Sequence, residues 1–147
     1  MSILGWWVIG PIPRSVAASA DPADSEGLHD LLDHLVEGPG LFVTAARKCL
    51  PYEIFVETVA PVGVARALTG NVLWSPAQAA EALSELATII ESGPVTRAEL
   101  VRRAADAVDT QGDEADFDAE ELIAGPLRAL RHAVGHDLDV LAVAAIN

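Results

Sequence analysis

Two short apolar segments, one near each end of the sequence, constrain the fold more than any other feature. Residues 3–9 (ILGWWVI) combine two tryptophans with β-branched residues and precede the breaker Gly10-Pro11-Ile12-Pro13, which is typical of a strand and its end. Residues 138–146 (LDVLAVAAI) are almost wholly apolar, as is typical of a strand with a neighbour on each side. We therefore predict that the second segment is a central strand. Its pairing with the first segment would bring the two ends of the sequence together.

Capping residues and apolar spacing predict four helices between these segments. Each start offers a side chain that can accept a hydrogen bond from a free N–H of the first turn, and proline follows it in two cases. The predicted starts are Asp21-Pro22, Ser75-Pro76, the capping box Thr96–Glu99, and Asp118 or the residues just before it. The predicted ends are 38–40 (GPG), 93–94 (GP), about residue 108, and Gly135.

The middle of the chain allows two interpretations. Residues 41–46 (LFVTAA) suit a buried strand or a short helix, and residues 52–59 (YEIFVETV) are rich in β-branched and aromatic residues but follow Pro51. We favour a helix for the first segment and a strand for the second. Residues 64–69 suit one or two helical turns.

The length and composition favour one globular domain over residues 1–147. The chain is 51% hydrophobic and has 147 residues, enough for one core. The predicted fold class is α+β, in which a small sheet of N-terminal, middle and C-terminal strands is covered by about four helices on one side. Trp6 and Trp7 would point to opposite faces of a strand, so one of them needs a second covering layer or lies exposed as a binding residue.

The net charge of −13, from 9 basic and 22 acidic residues, limits the classes of partner. Nucleic acid and anionic membranes need clustered cations, so we expect neither as a partner. A basic protein is the partner that this field attracts, although acidity can also serve solubility alone. No apolar stretch reaches membrane-spanning length, and residues 2–12 lack the basic start of a signal peptide. Cys49 is the only cysteine, so no internal disulfide forms and a cytoplasmic location is expected.

An acidic run over residues 113–121 is the candidate partner-binding site. Its members are Asp113, Glu114, Asp116, Phe117, Asp118, Glu120 and Glu121. A calcium-binding EF-hand loop that started at Asp109 would need glycine at its sixth position, where Glu114 stands. The run is therefore either an inert connector or a contact patch for cations. Phe117 is either an anchor for the partner or a residue that pins the connector to the core.

Histidine pairs supply the weaker candidates for chemistry. His132 and His136 have metal-ligand spacing, but a position near a helix C-terminus explains them equally well. His29 with Asp33, and Asp30 with His34, are histidine–aspartate pairs of the kind used in general-base catalysis and also found on solvated helix faces.

A further candidate for chemistry is the thiol of Cys49, which follows Arg47 and Lys48. Adjacent cations can lower a thiol pKa and make the thiol nucleophilic, although a lone cysteine is more commonly a small buried hydrophobe. We predict no metal site and no cofactor.

The second half of the chain resembles the YfbM-like family of uncharacterised bacterial proteins. The resemblance is carried by the segments SPAQAAEALSELATI, DAEELIAGPLRALRHAV and DLDVLAVAAI, and it covers about residues 68–146. It implies an α+β fold and no site residue, since the family has no settled activity.

The first functional hypothesis is a small acidic cytoplasmic protein-binding protein, possible examples being an immunity protein or an inhibitor that masks a basic toxin or effector. The alternatives are a small enzyme that uses a histidine–aspartate pair or Cys49, and a homo-oligomeric structural subunit whose exposed tryptophan packs against a second copy.

Overall fold

The computed structural model describes residues 4–47, 49–59, 63–109 and 117–146. In these ranges the strands are β1 (Gly5–Ile12), β2 (Phe42–Ala46), β3 (Val72–Trp74) and β4 (Asp139–Ile146). The α-helices are α1 (Arg14–Ala18), α2 (Ser25–His29), α3 (Pro51–Thr58), α4 (Pro76–Ser92), α5 (Arg97–Asp109) and α6 (Ala119–Gly135). Two 3₁₀ helices span Asp30–His34 and Val64–Thr69. The predicted α+β fold class is confirmed.

The four described strands form one antiparallel sheet in the order β2-β1-β4-β3. β4 lies between β1 and β3, and its pairing with β1 runs from Ile12↔Asp139 to Gly5↔Ile146. The pairing of the two end segments and the central position of β4 are therefore confirmed. The predicted end of the first strand is wrong, because Gly10, Pro11 and Ile12 continue β1 and pair with β4. β4 is apolar from Val140 onward because it has a strand on each side and side chains packed on both faces.

The main core lies between one face of the sheet and helices α3–α6. Trp7 is its largest fully buried side chain, and its Nε1 donates a 2.7 Å hydrogen bond to the carbonyl oxygen of Leu68. The Trp7 ring contacts Phe42 edge to face at 5.3 Å and Phe55 at 5.0 Å between ring centroids. These contacts fasten β2 and α3 to β1.

A second, smaller cluster covers the opposite face of the sheet. Trp6 packs there, as the alternation along a strand requires, together with Leu28 of α2 and Leu141 and Val143 of β4. The cover on this face consists of α1, α2 and the 3₁₀ helix Asp30–His34, so the prediction that the helices lie on one side is wrong. This cover is the second layer that the sequence predicted as one of the two alternatives for the adjacent residues Trp6 and Trp7.

Most predicted helix boundaries are confirmed. Ser75 and Gln78 form the reciprocal bonds of a capping box at α4, and the Asp118 carboxylate accepts from the N–H of Glu121 at α6. Thr96 accepts from the N–H of Glu99 at the start of α5, and α6 ends at Gly135. The first helix starts later than predicted, because Asp24 is the residue that caps it. It also ends earlier than the predicted end at 38–40, since α2 continues as a 3₁₀ helix that stops at His34.

The interpretation of the middle segments is wrong in both cases. Residues 42–46 are strand β2, whose two-residue alternation buries Phe42 and exposes Val43. Residues 51–58 are helix α3, in which Pro51 occupies the first turn and Ile54 and Phe55 face the core at helical spacing. The strands from the middle of the chain are therefore β2 and the three-residue β3, which form the two edges of the sheet and were not predicted from the sequence.

Candidate functional site

The acidic run predicted as a binding site lies only partly within the described structure. Asp113, Glu114 and Asp116 fall outside the described residues. Phe117 is half-buried and packs against the main core, which matches its alternative role of pinning the connector. Asp118 is exposed and caps α6 through a 3.0 Å bond from the N–H of Glu121 to its Oδ1.

The other two acids of the run bind arginines of the same chain. Glu120 pairs with Arg97 of α5 at 3.2 Å. Glu121 binds Arg128, which lies seven residues later on α6, through two hydrogen bonds of 2.6 and 2.8 Å. This hydrogen bonding raises the pKa of Arg128. Arg128 also donates to the carbonyl oxygen of Pro39, 3.1 Å away, so it ties the loop before β2 to α6. These two carboxylates are therefore already paired with cations of the same chain.

Charge pairing extends over the whole face formed by α5 and α6. Arg102 and Arg103 both bind Glu99, and the hydrogen bond from Arg102 is the main cause that lowers the Glu99 pKa to about 2. Arg131 of α6 binds Glu91 of α4, which lowers the Glu91 pKa. Each of the five arginines of α5 and α6 therefore has a carboxylate partner.

Negative charge without such partners is concentrated in the thin layer on the other face of the sheet. Residues 15–46 contain six acids and no lysine or arginine. We call these acids the acidic layer: Asp21, Asp24, Glu26, Asp30, Asp33 and Glu37. All six are exposed, and none of them forms an ion pair with any residue that the structure describes. This layer was not predicted from the sequence, although the long interval without a basic residue is its signal.

The acidic layer is held firmly against the sheet. Leu28 of α2 is fully buried, and Leu31, Leu32 and Leu35 pack against the same cluster. Asn71, just before β3, donates from its Nδ2 to the carbonyl oxygen and hydroxyl of Ser25, at 3.1 and 2.9 Å. The carboxylates are thus displayed on a fixed support.

A shallow depression of about 380 Å³ lies at the centre of this support, lined by Ser25, Glu26, His29, Asp30 and Asn71. The His29 ring contacts Trp6 edge to face at 5.5 Å. Across the described ranges, no hydrogen bond joins His29 or His34 to a carboxylate. The predicted histidine–aspartate pairs therefore share a surface without the hydrogen bond that orients a general base.

The remaining candidate residues lie apart from the acidic layer. His132 and His136 stack at 4.2 Å between ring centroids, and the Nδ1 of His136 lies 2.8 Å from the carbonyl oxygen of His132. Cys49 is half-buried against the main core. Among the described residues, no three His, Cys, Asp or Glu side chains are grouped so that they could hold a metal ion.

Comparisons of the chain with protein-family models, with curated proteins and with solved structures found no match. The resemblance to the YfbM-like family thus stays a prediction. In the part of the chain that the structure describes, no helix has both the length and the apolar character needed to cross a bilayer.

Proposed function

We propose that this chain is a small cytoplasmic protein-binding protein that masks a basic toxin or effector, as an immunity protein or inhibitor does. The observation that carries the proposal is the acidic layer: six exposed carboxylates on one support, with no basic residue in the 32 residues from 15 to 46. The arginines of α5 and α6 pair with carboxylates of α4, α5 and α6, whereas the acids of the acidic layer have no such partners in the described structure.

Unpaired carboxylates favour a cationic partner for a direct electrostatic reason. Six like charges on one surface repel each other, and the approach of lysine or arginine side chains relieves that repulsion while forming charge-assisted hydrogen bonds. Complementary charge of this kind mainly accelerates association, by up to about 10³-fold at low salt, and suppresses binding to acidic proteins. A masking protein benefits from both effects because it must reach its target quickly.

The rigidity of the support adds to the affinity that the charges provide. The fully buried Leu28 and the partly buried Leu31, Leu32 and Leu35 hold α2 and the 3₁₀ helix against the sheet, so less conformational freedom is lost when a partner binds. Inhibition would follow from occlusion: the acidic layer covers cationic residues that the partner needs for its own anionic substrate. Asp113, Glu114 and Asp116 of the acidic run stay a second candidate patch for the same partner.

Three variants with equal net charge test the proposal. The layer variant combines Asp30→Asn, Asp33→Asn and Glu37→Gln. The connector variant combines Asp113→Asn, Glu114→Gln and Asp116→Asn. The control variant combines Glu53→Gln, Glu57→Gln and Glu81→Gln, which are exposed acids of α3 and α4. Each variant takes the formal net charge from −13 to −10.

The assay is capture of proteins from a lysate of the source organism on each immobilised variant, with elution by salt between about 50 and 500 mM. We expect the unmodified chain and the control variant to retain the same basic protein, and the layer variant to lose it at lower salt. Loss with the connector variant alone would move the contact to residues 113–116. Equal retention by all the variants, or retention that does not weaken with salt, would refute an electrostatic masking role.

A further inference from the structure

The outer edge of β2 is open to a further strand. β2 is the terminal strand of the order β2-β1-β4-β3, and no strand in the described ranges pairs with its outer side. Its five residues, FVTAA, include no charged residue and no proline. Natural sheets usually protect an edge with lysine, proline or a covering element, because its free N–H and C=O groups can pair with another chain. β2 contains neither a lysine nor a proline.

Two of the four exposed large apolar side chains of the described structure lie on or near this edge. Val43 is 58% exposed and Val36 is 48% exposed. Val43 stands opposite Val8 in the register, and the Val36 N–H donates a 2.9 Å hydrogen bond to the carbonyl oxygen of Pro11 on the same strand. Val8 and Pro11 are three residues apart on β1, which corresponds to about 10 Å. Val36 and Val43 therefore lie along one side of β1 and form an apolar strip.

Acids of the acidic layer border this strip. Asp33 and Glu37 precede and follow Val36 closely in the chain, and both are exposed. The register places Val43 and Ala45 on the same face of the sheet as Trp6 and Val8, which is the face that the acidic layer covers. A strand laid along β2 would thus meet apolar side chains beneath it and carboxylates at the end nearest Phe42.

We propose that the outer edge of β2 takes a β-strand from the basic partner and so extends the sheet to a fifth strand. The inference rests on the proposed function, which supplies a partner of basic charge. Backbone hydrogen bonds to β2 would provide affinity, alternate apolar side chains would pack over Val43, and cationic side chains would bind Asp33 and Glu37.

Charge favours this occupant over a second copy of the chain. Two copies joined at β2 would bring together two acidic layers, each on a molecule of net charge −13. The opposite edge of the sheet is less suitable for pairing. β3 has only three residues, and the Asn71 side chain beside it is engaged by Ser25 and by the N–H of Ala144.

Two synthetic peptides separate strand pairing from simple attraction. The first is a capped peptide of alternating valine and arginine, about seven residues long, which is ordinary strand length. The second has the same side chains but carries a methyl group on every backbone nitrogen, so it keeps the charge and loses all its backbone N–H donors. We expect the first peptide to bind at least about tenfold more tightly, because several backbone hydrogen bonds depend on those donors. Amide hydrogen exchange of Phe42–Ala46 should slow only with the first peptide.

A pair of variants locates the effect on the chain. Val43→Lys places a cation on the edge and should weaken binding of the first peptide about tenfold, whereas Ala98→Lys, an exposed position on α5 with the same charge change, should not. The peptide comparison on the unmodified chain remains decisive if Val43→Lys reduces folding.

Several outcomes would overturn the edge-pairing proposal. They are equal binding of the two peptides, no binding of either, or slowed exchange only outside β2. Self-association of the chain that Val43→Lys abolishes would assign the edge to a second copy and overturn it as well. The proposed function is judged separately, because the lysate assay with the layer variant does not depend on how the partner's backbone pairs.

Discussion

Substitution of Gly125 by alanine tests how β2 is held against the helices. Gly125 lies within α6, where alanine is ordinarily the better residue by about 1 kcal/mol. A Cβ at this position would stand 2.6 Å from Cε1 of Phe42 and closer still to Cδ1. The normal separation of two carbon atoms is about 3.5–4.0 Å, so the ring or the helix would have to move by about 1 Å or more.

The Phe42 ring has little freedom to make that movement. It is fully buried, and its face-to-edge contact with Trp7 fixes it from the other side. Overpacking of a well-packed core costs about 1–3 kcal/mol, and the severity of this contact points to the upper end of that range. After the gain in helix propensity is subtracted, we expect Gly125→Ala to lower the free energy of unfolding by about 2 kcal/mol. For a chain of this length that lowers the melting temperature by about 4–8 °C.

The same helix supplies the control. A Cβ at Gly135, the last residue of α6, meets no atom within 4 Å, so Gly135→Ala should leave stability unchanged or raise it by up to about 1 kcal/mol. Urea unfolding followed by tryptophan fluorescence measures all the variants. Phe42→Val should reduce the cost of Gly125→Ala in the double variant, because valine has no atoms beyond Cγ and so lacks the ring atoms that clash. Equal stability of the two alanine variants would refute the close approach of α6 to β2.

Three further substitutions address other parts of the structure. Trp7→Phe should cost about 2–4 kcal/mol in urea unfolding, because it leaves the buried carbonyl oxygen of Leu68 without its donor and opens a cavity; no loss would contradict the buried hydrogen bond. Asp118→Ala should cost about 1 kcal/mol and Asp118→Ser much less, since serine also caps a helix; equal losses would argue against capping. Glu99→Gln should reduce thermal stability at neutral pH. The Glu99 pKa is lowered from 4.5 to about 2 in the folded chain, so its stabilising effect is present above pH 4.5 and is lost as the pH falls toward 2. The melting temperatures of Glu99→Gln and the unmodified chain should therefore converge in acid, and a constant difference from pH 7 to pH 2 would contradict this pairing.

The parts of the fold that the sequence predicted are those with strong local signals. β4 was predictable because nine nearly continuous apolar residues fit only a strand buried on both faces. Helices α4, α5 and α6 were predictable because Ser75, Thr96 and Asp118 satisfy free N–H groups at their starts, and such bonds depend only on neighbouring residues.

The parts that the sequence did not predict depend on partners distant in the chain. β2 is a strand because Phe42 can pack on Trp7 and under Gly125, and five apolar residues carry no periodicity that distinguishes a strand from a helix turn. In α3 the β-branched composition favoured a strand, but the burial of Ile54 and Phe55 at helical spacing outweighed that weak preference. β3 is too short to leave a pattern.

The location of the acidic surface was harder to predict than its existence. The run 113–121 has the highest local density of acids, but density along the chain says nothing about cations that the fold brings near. Arg97 and Arg128 neutralise Glu120 and Glu121 from positions 23 and 7 residues away. Residues 15–46 have fewer acids per residue, but no basic residue lies among them, and in the described structure no arginine from elsewhere in the chain pairs with them. The absence of cations is therefore a better guide to an uncompensated surface than the abundance of acids.

The acidic layer imposes opposite demands on the free chain and on a complex. In the free chain the six carboxylates repel one another across an exposed surface, and salt weakens that repulsion because the screening length is about 8 Å at physiological ionic strength. In a complex with a basic partner the same carboxylates are attractive, and the same salt weakens the attraction. Added salt should therefore stabilise the free chain while it dissociates the complex. If the acidic layer served solubility alone, salt would stabilise the free chain and there would be no complex for it to dissociate. Dissociation by salt therefore distinguishes a binding surface from a surface that is only charged.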